Sequence, residues 1–337
     1  MADPDLSAAP GMATQHPLRR FVHRITRMDE FGVVAALTIM LLIIGTLRPR
    51  FVSLDSFVNL TQQVSLFGIM ALGMVFLLAM REIDLSVGAI YGVTIVAAAL
   101  LMQAGVDPWL AAFAALLLGI ALGGVNGLLA NVLQIPTIIV TLGTLSVFRG
   151  LALVLSNGRS IGNLPREHAF FTVLGDQVFG IPVAFWVFLA LTVVLHIVLQ
   201  STRYGYLVRA IGSNEQAARL SGIRIPLVRQ ATLMLQGALC GIAGLLTLAF
   251  FQSADSTLGT GYELLVIASA IIGGTGLAGG RGTVVGAFLG ALVLGVISSG
   301  LVQFGVAANW STFVTGVVII TAVALDYFIR RRRAPAG

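Results

Sequence analysis

Residues 231–251 read ATLMLQGALCGIAGLLTLAFF, with no charged side chain and no proline in the run. A helix needs about 20 mostly apolar residues to cross the hydrocarbon core of a bilayer, and this run has that length. Working outward, similar apolar runs fall near 31–47, 60–80, 86–104, 109–130, 137–155, 182–199, 263–277, 283–302 and 311–329, which makes ten, the run at 263–277 being short. The pattern predicts an all-α integral membrane protein with about ten transmembrane helices.

Composition agrees. Hydrophobic residues make up 57% of the 337 and charged residues only 10%, against about 25% charged in a soluble domain. Mean hydropathy is +0.97, so membrane lipid is the expected solvent. The 39 glycines suit helices that pack closely without a hydrophobic drive between them. All 20 basic residues are Arg, which excludes a P-loop, since that motif needs a Lys to reach the phosphates. Basic residues at the flanks of apolar runs are a topology signal, so the pI of 10.4 does not imply nucleic acid. The lone Cys240 excludes a disulfide within the chain, and His16, His23, His168 and His196 lack metal-ligand spacing. No grouping of residues suggests catalysis, and no metal site is expected.

Ten spans place both termini on one side. With the termini inside, fifteen Arg lie on the cytoplasmic side and five outside, the asymmetry expected of a multi-pass protein of the bacterial inner membrane. Residues 1–30 read as a polar, disordered cytoplasmic tail, 31–329 as the transmembrane domain with an uncleaved first anchor, and 330–337 as a short basic tail. The segment 156–182 falls outside and holds the largest external polar surface, either a docking surface or a plain loop.

The largest internal loop, 200–230, contains GSNEQAARLSGIRIP at 212–226. Ser213 and Gln216 have capping-box spacing and Gly222 suits a helix stop, so a short helix is expected between spans six and seven. Glu215 and Arg219 can pair on one face, and Ala217 and Ala218 keep that helix slim. It is either a solvated loop helix or a lever that seats in a groove of a soluble partner.

Several polar residues lie in or near the apolar runs. Asp84 reads as a cap or paired carboxylate beside Ser86, with Arg81 as its partner. Asn126, with Thr137, Thr141 and Thr144 on one helix face, suits either packing between helices or a hydroxyl-lined sugar path. Phe148 and Trp186 are aromatic candidates for that path, whereas Trp109 and Trp310 sit at span ends, where aromatic belts form. Arg149 reads as an interfacial anchor. Glu263 opens the short eighth span, where the helix dipole favours a carboxylate. Gly273, Gly274 and Gly276 begin a glycine cluster that is either a hinge near the path or a tight inner turn.

Five blocks together carry a resemblance: IDLSVGAIYG (83–92), GGVNGLLANVLQIPTIIVTLGTLSVFRGL (123–151), TRYGYLVRAIGSNEQAARLSGI (202–223), GYELLVIASAIIGGTGLAGGRGTVVGAFLG (261–290) and GVVIITAVALD (316–326). In order, from about residue 35 to 330, they resemble the permease subunits of ribose-type sugar ABC importers. EQAARLSGIRIP resembles the EAA loop of such permeases, which implies that Glu215, Ala217, Ala218, Arg219 and Gly222 form a cytoplasmic coupling helix. The resemblance implies cytoplasmic ATPase subunits that bind ATP and Mg, an extracytoplasmic sugar-binding protein, a second permease copy or sister permease, and no cofactor in this chain. The broader group also carries nucleosides and branched-chain amino acids, and an ion-driven secondary transporter is the rival of another class. One departure stands out: Arg81 and Glu82 precede IDLSVG, where the family usually has Gly-Gly.

Overall fold

A computed structural model describes residues 31–306 together with 310, 313, 314, 316, 317, 320, 321 and 324. The readings for the N-terminal tail, most of the last span and the C-terminal tail lie outside the described residues. In chain order the elements are α1 (Phe31–Leu47), a 3-10 turn (Pro49–Val52), α2 (Leu54–Ala79), α3 (Val87–Gln103), α4 (Pro108–Leu133), α5 (Thr137–Ser156) and α6 (Ala169–Leu174). A hairpin of β1 (Gln177–Val178) and β2 (Ile181–Pro182) follows, then α7 (Val183–Ser201), α8 (Arg203–Ser213), α9 (Glu215–Leu220), α10 (Ile225–Phe251), α11 (Tyr262–Ile272) and α12 (Val284–Gln303).

Six of these, α2, α4, α5, α7, α10 and α12, are long and apolar enough to cross a membrane. Helices α1, α3 and α11 are apolar but shorter. The chain is therefore a helical multi-pass membrane protein, with six full-length spans among the described residues. Helices α1, α3 and α11 stand at three further expected runs, and most of the tenth run lies outside the described residues.

The architecture is built around α2. Ser53 caps it by accepting from the Ser56 amide, and 94% of its most apolar stretch is buried. It packs against α7, α10, α11 and α12. Helix α10 lies along both α2 and α4. Against α4 the approach is backbone to backbone: a Cβ added at Gly119 would stand 2.7 Å from the Gly237 carbonyl oxygen. No larger residue fits there, which is the small-residue packing the glycine content predicts. Helices α4, α5 and α7 leave apolar faces exposed, including Leu128, Leu142, Val147, Val154 and Val193.

The segment 156–182 has more structure than its polarity suggests. Gln177 pairs with Pro182 and Val178 with Ile181. Phe179 and Gly180, both at positive φ of 55° and 73°, form the two-residue turn, as a primed hairpin turn requires.

Candidate functional site

Helix α2 ends at Ala79, and α3 does not begin until Val87. Between them, Asp84 and Ser86 have no exposed surface. Buried irregular backbone must find partners for its polar groups; three amides here do, while Asp84 Oδ2 is buried without one. The Glu82 amide donates to the Leu77 carbonyl at 2.8 Å. The Leu85 amide donates to Thr141 Oγ1 at 3.1 Å, and that hydroxyl lies 3.3 Å from the Ile83 carbonyl. Ser86 donates both its amide, at 2.7 Å, and its hydroxyl, at 2.6 Å, to Asp84 Oδ1.

The network continues into the neighbouring helices. Asn126 Nδ2 of α4 donates to Ser86 Oγ at 2.8 Å, and Thr144 Oγ1 of α5 donates to Asn126 Oδ1 at 2.7 Å. The structure thus joins four candidates, Asp84, Asn126, Thr141 and Thr144, in one buried group, with Phe148 buried one turn beyond Thr144. Trp186 stands apart, half-exposed and donating to the Val178 carbonyl of the hairpin at 3.2 Å. Two details differ from expectation. Ser86 occupies the cap position of α3 without a side-chain cap bond, because its hydroxyl is spent on Asp84. Arg81 is not the partner of Asp84 and turns to other residues.

A second irregular segment approaches from the opposite end. After α10, Ala254 exchanges backbone hydrogen bonds with Ile161, at 2.7 and 2.9 Å. The chain then runs inward until Gly259 lies against the Gly88 backbone and the Tyr91 ring of α3. Arg149 of α5 secures this segment, Nη1 donating to the Leu258 carbonyl at 3.1 Å. Helix α11 starts after Gly261, which has φ 81° and makes no side-chain cap. Glu263 lies in its first turn, so it interacts with the helix dipole without capping the end. A Cβ on Gly88 would stand 3.1 Å from Glu263 Oε2. The first turns of α3 and α11 therefore meet inside the bundle.

Helix α11 stops at Gly273, whose backbone packs against Gly286 of α12. Gly274, at φ 95°, closes the end: its amide donates to Ile271 and that of Thr275 to Ala270, at 2.9 and 3.0 Å. Gly276 lies in the turn that leads to α12, where its carbonyl accepts from Gly279 at 3.3 Å. That turn docks on α2 through the Gly280 amide, 2.8 Å from the Ala79 carbonyl.

Beside it stands the short helix α9. Its cap is Asn214, which accepts from the Ala217 amide at 3.0 Å. The capping box expected at Ser213 is displaced by one residue, because Ser213 still belongs to α8 and its hydroxyl donates to the Arg209 carbonyl at 2.9 Å. Glu215 and Arg219 pair at 3.2 Å. Gly222, at φ 80°, ends the helix, with the Gly222 amide on Arg219 and the Ile223 amide on Ala218 at 3.0 and 3.1 Å. Only Ala218 of α9 is buried, whereas Ala217 is exposed and Leu220 is 83% exposed. Next to α9 opens a groove of about 700 Å³ lined by Asn131, Gln134, Glu215, Arg219, Arg224 and Arg229, among others.

The two unexpected charges find partners far away in sequence. Arg81 Nε donates to the Ala278 carbonyl at 2.7 Å and Nη2 to the Ser213 carbonyl at 3.2 Å. Glu82 accepts from Arg229 Nε at 2.7 Å, and Arg229 Nη1 also donates to Asn131 Oδ1 at 3.2 Å. In the sequence Arg81 stood out by its departure from the pattern and its nearness to Asp84, and Glu82 by its departure alone, whereas Arg229 and Leu220 carried no signal of their own.

Residues 56–323 match the family model described as branched-chain amino acid transport system / permease component. The ribose import permease protein of Escherichia coli (strain K12) is 37% identical over 314 residues, covering 91% of this chain and 96% of that protein. The ribose import permease protein of Bacillus subtilis (strain 168) is 38% identical over 299 residues, 89% of this chain and 93% of that protein. The D-allose transport system permease protein of Escherichia coli (strain K12) is 35% identical over 305 residues, 90% and 93% of the two chains. No solved structure matches the chain.

Proposed function

The chain belongs to the branched-chain amino acid transport system / permease component family, and from that premise we propose that it is the membrane subunit of an ABC importer that carries a sugar inward. The observation that carries the sugar reading is likeness along nearly the whole chain to permeases named for ribose and D-allose. The family description alone names branched-chain amino acids, but the relatives narrow the cargo to a polyhydroxylated solute.

In this reading α9 faces the cytoplasm and seats in an ATPase subunit that binds ATP and Mg. Its exposed Glu215, Ala217, Arg219 and Leu220 meet that subunit, while Gly222 sets the angle at which the chain leaves. A sugar-binding protein delivers cargo at the opposite end, and a second permease copy or sister subunit completes the path. Both termini lie in the cytoplasm. The moving part is the meeting of α3 and α11, because irregular backbone at membrane depth is tolerated only where protein or a water-filled cavity covers it. Asn126, Thr141 and Thr144 hold one side of that junction and Glu263 the other, while the turn at Gly273, Gly274 and Gly276 holds the far end of α11. ATP binding by the partner drives the change only through contacts that differ between the two access states.

The test is uptake of labelled ribose and D-allose into vesicles that hold the chain with its ATPase and binding protein. Uptake should require internal ATP and persist in the presence of an uncoupler. Uptake that an uncoupler abolishes and ATP does not affect would replace this reading with an ion-driven carrier.

A further inference from the structure

Arg81 has φ 65°, a left-handed conformation that is costly for a residue bearing a side chain. A glycine would adopt it freely. What the arginine does from that position is specific. Its guanidinium reaches the carbonyl of Ser213, immediately before the Asn214 cap of α9, and the carbonyl of Ala278 in the glycine turn. A side chain at Gly279 would collide with the Arg81 stem, so that turn is shaped to admit it. The neighbouring Glu82 pairs with Arg229, in the second turn of the helix that follows α9. Two consecutive residues therefore hold the chain on both sides of α9. Two residues later the chain enters the buried group of Asp84, Ser86 and Asn126.

We propose that Arg81 and Glu82 are positioning residues for transport, binding both flanks of α9 to the end of α2 so that a displacement of α9 reaches the junction of α3 and α11 undiminished. This rests on the reading of the chain as the membrane subunit of an ATP-driven importer. The contacts suit the task. Arg81 spans two elements with charge-assisted bonds to carbonyls, and the Glu82–Arg229 pair, with side chains 13% and 20% exposed, is shielded from the screening that weakens surface pairs. Asn131 holds Arg229 from α4, so the linkage ties α4 to α10 as well. Without these contacts α9 would move against a turn and a helix end that yield before the broken helices respond.

The experiment measures solute imported per ATP hydrolysed by the assembled transporter in vesicles, using ribose as cargo. Glu82→Gln and Arg81→Gln should each lower that ratio by about fivefold while ATP hydrolysis per complex stays near that of the parent. The exchanged pair, Glu82→Arg with Arg229→Glu, should recover most of the ratio lost in Glu82→Gln. An unchanged ratio in the single variants overturns the proposal, as does a parallel loss of import and hydrolysis. An exchanged pair that stays uncoupled, or does not assemble, also overturns it. If instead the parent complex imports without consuming ATP, the importer reading itself fails. That result is separate from the behaviour of the variants.

Discussion

Gly212 seats its Cα against the carbonyl oxygen of Ala79, so that α8 ends in backbone contact with the last residue of the central helix. The same carbonyl accepts from Gly280, and three segments distant in sequence meet within one turn. A methyl group has nowhere to go here. Gly212→Ala should cost about 1–3 kcal/mol, seen as a lower thermal midpoint of the purified protein in detergent. Gly143→Ala, facing open space on α5, should leave the midpoint nearly unchanged.

The buried group around Asn126 predicts a graded series. Asn126→Leu removes a partner from both Ser86 and Thr144 and should cost about 1–3 kcal/mol, whereas Thr144→Val removes one partner, that of the Asn126 carbonyl, and should cost about 1 kcal/mol. Because the two residues share a bond, the double variant should fall short of the sum by about 0.5 kcal/mol or more. Additive losses in denaturant unfolding would mean that the bond contributes little.

At Gly222 nothing lies within 4 Å of an added Cβ, so a substitution there acts through backbone conformation alone. Gly222→Ala should destabilise the end of α9 by about 1 kcal/mol and slow uptake. A bulkier Val should abolish uptake while leaving affinity for the binding protein intact. Normal uptake by the Val variant would count against a coupling role for this turn.

Leu220, 83% exposed on α9, should be needed for seating rather than folding. Leu220→Asp should leave the stability within about 0.5 kcal/mol of the parent, as expected of a surface position, and yet reduce stimulation of ATP hydrolysis by cargo-loaded binding protein. Co-purification of the ATPase with both chains would show whether docking itself is lost.

The segment after α10 has a pH signature. Thr257 donates its hydroxyl, at 2.6 Å, and its amide, at 2.8 Å, to Asp255 Oδ1, and these bonds hold the Asp255 carboxyl below its ordinary value. A lowered folded-state pKa gives stabilisation that is complete above the unfolded value and is lost as pH falls through the folded one. Hydrogen exchange at 254–258, corrected for its intrinsic pH dependence, should stay constant down to about pH 4 and rise below it. Thr257→Val should move that rise to higher pH.

Long apolar runs made the membrane class and the helices α2, α4, α5, α7, α10 and α12 legible, because a span announces itself by local composition. The polar residues were legible as individuals. Asp84, Asn126, Thr141 and Thr144 are conspicuous in an apolar chain, but the bonds joining them cross as many as 58 residues, and no local rule pairs them. The cap of α9 was misplaced by one position because Ser213 and Asn214 are both good caps, and only the extent of α8 decides between them. The partners of Arg81 lie 132 and 197 residues away. Adjacency had suggested Asp84, a partner that three-dimensional packing overrides. Helix α3 begins within one residue of its expected start, and what periodicity does not register is the Asp84 turn that precedes it.

Burial of α2 on all sides has a consequence for biogenesis. Its natural neighbours α10, α11 and α12 are encoded far downstream, so a newly inserted α2, carrying Thr61, Gln62 and Ser65, waits beside acyl chains until they emerge. The insertion machinery must shelter this helix through that interval, and a chain truncated before α10 will present it to quality-control proteases.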